Sequence, residues 1–147
     1  MKTDTRHGER GQAMVETAIA IPLLLLLMVG IFEVGRAYET WQVLTNAARE
    51  GARMSVTPSS TQSTTTALIR QYMADGQLSK FATAAVVVNT GASINVNGTS
   101  VSASAVTVDY PFEFIMLQPV VRLVAPGATV GGPLTMRATA IMRNEAP

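Results

Sequence analysis

Glu16 is the only charged residue between Gln12 and Phe32, and it follows Gln12 by four positions, with Arg10-Gly11 just upstream. A carboxylate at the edge of a membrane span is costly to desolvate and is a functional candidate by default. The arrangement suggests a chain first held in a membrane, then clipped at Gly11, then packed beside copies or partners through the same helix. The bland alternative places Glu16 at the headgroup level, solvated and idle. Little else in the chain has the makings of chemistry. His7 is the single histidine and lies in the polar N-terminal stretch, and there is no cysteine. A histidine-based triad is therefore excluded once that stretch is removed, and thiolate metal sites and disulfides are excluded outright. The acids beyond Glu16 are scattered: Glu33, Glu39, Glu50, Asp75, Asp109, Glu113 and Glu145. Asp109 and Glu113 flank Tyr110-Pro111 and read as solvated strand-end charges. The glycine-rich run APGATVGGP lacks the lysine and the following helix of a phosphate loop. No catalytic residue, cofactor or metal is expected, and an enzyme reading has no constellation behind it.

Those residues must be carried by a membrane helix. The chain has 147 residues, 48% hydrophobic and only 14% charged. Soluble domains average about a quarter charged residues, and the apolar segment Thr17 to Phe32 explains the deficit. A membrane helix needs about 20 mostly apolar residues, and Ala13 to Phe32 meets that length. Net charge is +1, which argues against nucleic acid as a partner. Loss of residues 1–11 removes Lys2, Asp4, Arg6, Glu9 and Arg10 and leaves a net charge of zero. The basic N-terminal side favours that end staying inside, although Arg36 on the far side weakens the contrast.

Four segments are expected: a disordered leader at 1–11, the transmembrane half of a helix at 12–33, its protruding amphipathic half at 34–56, and an α+β head at 57–147. No strong breaker interrupts a helix from Gln12 to Met54 except Pro22. Such a helix would run roughly 65 Å at about 1.5 Å per residue, about twice a bilayer core. Its second half carries an apolar stripe at Val34, Tyr38, Trp41, Leu44, Ala48 and Ala52. Glu33 with Arg36, and Glu50 with Arg53, are spaced to pair on the wet side. A polar break at Thr57 to Thr66 precedes a short helix from about Thr65 to Ala74. Strands are expected at Ala85 to Asn89, around an Asn97-Gly98 hairpin turn, at Ala105 to Tyr110 ending at Pro111, and at Leu134 to Arg143. Phe112 to Val124 reads as a helical turn plus loop around Pro119. A single antiparallel sheet covered by the long helix, with Trp41 as lid, satisfies both apolar faces.

RGQAMVETAIAIPLLLLLMVGIFEVGRA at residues 10–37 and NAAREGAR at 46–53 carry a resemblance. They resemble the TadE-like proteins, minor pseudopilins of tight-adherence (Tad/Flp) pilus systems. The final strand LTMRATAIMR looks similar to that family's C-terminal end. The resemblance implies that Gly11 precedes the bond cut by a prepilin peptidase, that Gln12 becomes the mature N-terminus, and that Glu16 is the acidic residue at the fifth mature position. Thr17 departs from the aromatic residue often found directly after that glutamate. In an assembly, the new ammonium on Gln12 and a neighbour's Glu16 carboxylate can neutralise each other in low dielectric. A related family with a metal-dependent adhesion domain is not indicated, since no Asp-x-Ser-x-Ser cluster occurs.

The leading expectation is thus a minor pilin or pseudopilin of a Tad-type, type IV-like pilus that contributes to assembly or adhesion. It would sit in the bacterial inner membrane with its N-terminus cytoplasmic and its head outside, and could pass into an extracellular pilus. Its partners would be other pilins, the pilus assembly platform, the prepilin peptidase and membrane lipid. The competing expectation is an unprocessed, membrane-anchored periplasmic binding module. An ordinary secretory signal is the weakest reading, because FEVGRAYETW lacks a clear small-x-small cleavage site.

Overall fold

Helix formers with few breakers fill the first third of the chain, and one helix uses all of them. The computed structural model describes residues 6–144, with side chains described from Gly11 onward except at Val124. Lys2, Asp4 and Glu145, and the side chains of Arg6, His7, Glu9 and Arg10, lie outside it. The elements are α1 (Arg6–Ser55), α2 (Gln62–Asp75), β1 (Ala85–Val96), β2 (Thr99–Phe112), α3 (Leu117–Val124) and β3 (Leu134–Arg143), with a 3-10 turn at Phe81–Thr83. The chain divides into two compact units. One comprises residues 1–35 and 114–132, and the other 36–113 and 133–147. Helix α1 contributes to both.

Helix α1 begins at Arg6 and not at Gln12, so residues 6–11 are helical where a disordered leader was expected. Gly8 and Gly11 each cost a helix only about 1 kcal/mol, too little to stop it before a long helical stretch. Pro22 lies inside the helix.

The second unit has the expected α+β arrangement. Its sheet has the order β1-β2-β3, antiparallel throughout. Asn97 and Gly98 both take positive φ, 51° and 85°, as the tight hairpin turn between β1 and β2 requires. The strands on either side run on continuously where two shorter pieces were expected, with a register irregularity between Asn89 and Ala92 absorbing the mismatch. Strand β2 also runs past Pro111 to Phe112. Pairing with β1 ends at Asp109, so Pro111 has a strand on the β3 side only, opposite Thr135. A proline is tolerated where one side of a strand is open. Helix α2 starts at Gln62, inside the polar run. The Thr61 hydroxyl accepts from the Thr64 amide at 3.2 Å, and the Thr64 hydroxyl accepts from the Thr61 amide at 3.0 Å. The hydroxyl residues expected to break the helix instead cap it.

Alternation sorts the sheet into two faces. Ser104, Val106, Val108, Tyr110 and Phe112 of β2 are buried, as is Ala138 of β3. They form the core with Leu44, Ala47, Ala48 and Ala52 of α1 and with Ile69 and Met73 of α2. The other face is open and mixed, with exposed Val87 and Ile141 beside the Thr107 and Thr139 hydroxyls, which are 3.1 Å apart. Trp41, expected as the lid, is 45% exposed, and Tyr38 and Val34 are more exposed still. The covering face of α1 is made of Leu44 and alanines. An added Cβ on Gly51 would stand 2.5 Å from Ile69 Cδ1 and 3.4 Å from Val106 Cγ1, so a bulky indole has no room on this side. The strip of α1 that covers the core is therefore selected for smallness.

The charged pairs lie outside this core. Arg53 Nη2 meets Glu50 Oε1 at 2.8 Å, as its spacing suggested. Lys80 Nζ meets Glu113 Oε1 at 2.6 Å. Arg137 donates to both Asp109 oxygens, at 2.6 and 2.8 Å. Hydrogen bonds from Arg137 hold the Asp109 carboxyl below the usual aspartate range, and those from Arg53 do the same for Glu50.

Two outcomes test this packing. Gly51→Val should lower the unfolding free energy by about 1–3 kcal/mol through overpacking, read by chemical denaturation in detergent, whereas Gly35→Ala, with nothing within 4 Å of the added Cβ, should not. Equal effects would remove the close approach. Because the folded Asp109 carboxyl is depressed, its contribution is present above the unfolded value near 3.9 and is lost as pH falls through the lower folded value. Thermal midpoints measured from pH 7 to 3 should fall slightly more for the native chain than for Asp109→Asn. Identical pH slopes would count against the pair.

Candidate membrane and assembly interface

An apolar helix with no covering partner has to find an apolar surrounding. Along α1, Ile19, Ile21, Leu23, Leu24, Leu25, Leu27, Met28 and Ile31 are all exposed. Successive helical residues are about 100° apart, so this surface is apolar on every side. A helix apolar all round belongs to a core or a membrane, and here it is not buried. Among the described residues, one helix, Gly11–Ser55, is long and apolar enough to cross a bilayer. This is a single-pass anchor by length and composition.

The structure places the three sequence-predicted site residues at the start of that stretch. Gly11, Gln12 and Glu16 are all exposed on α1. Gln12 and Glu16 stand one turn apart on the same face, as helical spacing demands. Gly11 has open space around the position of a Cβ. The Thr17 hydroxyl turns back to donate to the Ala13 carbonyl at 2.7 Å, which satisfies it within the apolar stretch.

A fourth residue escaped the sequence reading. Glu33 was expected on the wet side of the helix. It is instead fully buried. Its Oε1 accepts from the Ile115 amide at 2.7 Å and from the Met116 amide at 2.5 Å. Those amides lead into α3, whose first turn leaves donors without helical partners. Met116 supplies no side-chain cap, and the Glu33 carboxylate, 82 residues away in sequence, bonds the two amides that immediately precede the helix. A negative group at a helix N-terminus is also favoured by the helix dipole. Pro119 is tolerated because it lies in the first turn, where its missing amide has no partner to lose. The expected turn plus loop is therefore a full short helix. The Arg36 guanidinium lies 5.3 Å from the Phe112 ring centroid. The signal for Glu33 was available in principle: it is the first charge after the apolar run and falls under the same desolvation rule as Glu16.

Helix α3 lies alongside α1 within this unit. Leu23, Leu27, Gly30 and Ile31 of α1 and Leu117, Val121 and Val130 line an open groove of about 700 Å³ with almost no polar wall. The loop after α3 returns through Gly131, at φ 82°, where an added Cβ would stand 3.0 Å from the Gln118 amide nitrogen. Only glycine suits both the conformation and the approach. No group of three or more metal-ligating side chains occurs among the described residues.

Residues 11–53 match the family model described as TadE-like protein. The match begins at Gly11 and covers α1 almost to its end. No curated protein and no solved structure matches the chain.

Truncating Glu33 should release α3. Glu33→Ala removes the acceptor of two part-buried amides, at up to about 1–3 kcal/mol each, and Glu33→Gln keeps an acceptor oxygen. Amide exchange at Ile115 and Met116 should speed up strongly in the first variant and modestly in the second. Unchanged exchange in Glu33→Ala would show that the carboxylate does not hold the segment.

Proposed function

From a chain whose N-terminal helix is TadE-like, we propose a minor pilin or pseudopilin of a Tad-type pilus, made as a single-pass membrane protein and clipped between Gly11 and Gln12. The prepilin peptidase makes the cut, and the clipped chain joins other pilins and the assembly platform. The N-terminus lies on the cytoplasmic side of the bacterial inner membrane and the sheet-bearing head lies outside. The role is structural, in pilus assembly or adhesion.

The observation that carries this reading is the exposed helix that is apolar on every side and bears one charge, Glu16, a turn after Gln12. Clipping leaves an ammonium on Gln12, mostly charged at neutral pH because α-amino groups titrate near 8. Within a single chain Glu16 is exposed and open to a partner. In a bundle of such helices, that carboxylate and a neighbour's ammonium sit in low dielectric. Breaking such a buried pair costs about 3–5 kcal/mol. A subunit added one turn out of register bears that cost, so the pair selects axial register.

One feature favours a second reading. The helix runs through Gly11 without a break, back to Arg6. A peptidase needs that junction unwound, so an unprocessed membrane-anchored binding module is the alternative.

N-terminal sequencing or intact mass of the membrane-extracted protein, from cells with active prepilin peptidase, separates the two. The pilin reading expects a chain starting at Gln12, and a start at Met1 supports the plain anchor. Glu16→Ala should still be clipped, yet its subunit association should weaken about a hundredfold or more, from the loss of at least about 3 kcal/mol. Normal pili from that variant would eliminate the pairing mechanism.

A further inference from the structure

Segment 114–132 carries one charge, Arg122, and otherwise only apolar and neutral residues. Several of its apolar side chains face outward. Leu123 is 83% exposed, Ile115 61%, Val130 58% and Met116 49%. In water this is a costly arrangement, and α3 is too short to persist by itself. The segment is nevertheless pinned, by the Glu33 carboxylate at one end and by the packing of Leu117 and Val121 toward α1. It is pinned beside residues 23–31, which belong to the candidate membrane span.

We propose that segment 114–132 is a second membrane contact. It lies in the bilayer leaflet at the Glu33 end of the span, with Leu123, Ile115 and Val130 in the acyl region and Arg122 reaching the headgroup phosphates. The inference rests on the membrane-anchor reading and adds to it a second embedded element. Three features identify lipid as the occupant of this surface. The outward apolar residues are continuous with the exposed apolar surface of α1 in the same unit. That surface is apolar on all sides of the helix, which suits a fluid apolar medium; a single partner helix would need only one stripe. An amphipathic short helix with a basic residue among apolar ones is the pattern of an interfacial element, with the long cationic side chain extending toward water. The backbone is compatible with such a place. Helix α3 bonds internally, the Ile115 and Met116 amides go to Glu33, and Ala125 and Ala128 amides are bonded to Val121 and Ala125 carbonyls. Glu33 is thus the residue that lets the chain re-enter the interface without leaving those amides bare.

The chain has no cysteine, so single-cysteine spin labels report one position each. Four variants of the full chain, Leu123→Cys, Ile115→Cys, Leu24→Cys and Val87→Cys, are reconstituted in phosphatidylethanolamine–phosphatidylglycerol vesicles. Collisional accessibility to oxygen and to a water-soluble nickel chelate is then measured. Leu123 and Val87 are both exposed, at 83% and 57%, so labelling should leave the fold intact. The expected result is an oxygen-to-nickel ratio several-fold higher at positions 123 and 115 than at 87, approaching that at 24. A water-like ratio at 123 with a lipid-like ratio at 24 overturns the inference and leaves the anchor standing. A water-like ratio at 24 overturns both. Spin–spin broadening at 123 that grows with the protein-to-lipid ratio assigns the surface to a second copy and also overturns the inference.

Discussion

One helix has to serve two solvents. Over residues 13–32 α1 presents apolar side chains in every direction, and from Thr40 onward it buries only one strip, made of Leu44 and small residues. The change falls near Gly35, which is also where the two compact units divide. Everything else in the chain answers to that change. Beyond it, a folded head supplies the core that a one-sided helix needs. Before it, segment 114–132 lies along only part of the helix, and most of the apolar side chains of residues 13–32 remain exposed.

The transition leaves a particular electrostatic problem, and Glu33 resolves it. A carboxylate this close to an apolar span is expensive to bury unless it is hydrogen-bonded. Two backbone amides just ahead of α3, those of Ile115 and Met116, donate to that carboxylate. Bringing the two together satisfies both and ties a distant loop to the long helix. The chain thereby uses acids at both ends of its apolar run, in different ways. Glu33 is satisfied within the molecule, whereas Glu16 is exposed. Both acids lie within the stretch that matches the TadE-like family model.

Much of the architecture could be read along the chain, because the signals were local. The Asn97-Gly98 turn follows from two adjacent residues that tolerate positive φ. The final strand follows from strict alternation between Leu134 and Arg143, with Met136, Ala138, Ala140 and Met142 on the more buried face. Misreadings arose where a residue's role depended on a neighbour far away. Pro111 looked like a strand end, yet the sheet tolerates it because β1 has already stopped. The threonines near residue 61 looked like helix breakers, yet two of them face each other as a cap. Trp41 looked like core because it is large and apolar, and it lies outside because the covering face of α1 is filled by Leu44 and alanines.

The amino-acid order alone determined the anchor, the position of Gly11, Gln12 and Glu16 at its start, and the division into long helix and antiparallel head. These depend on hydropathy and period, which are properties of neighbouring residues. Tertiary structure alone decided that Glu33 is buried and that segment 114–132 is held against the apolar half of α1. Periodicity places a residue on a face of its own helix, but it cannot say which distant amides need that residue's oxygen. That is settled only when residues 82 positions apart come within hydrogen-bond distance, 2.7 Å in the case of Glu33 and Ile115.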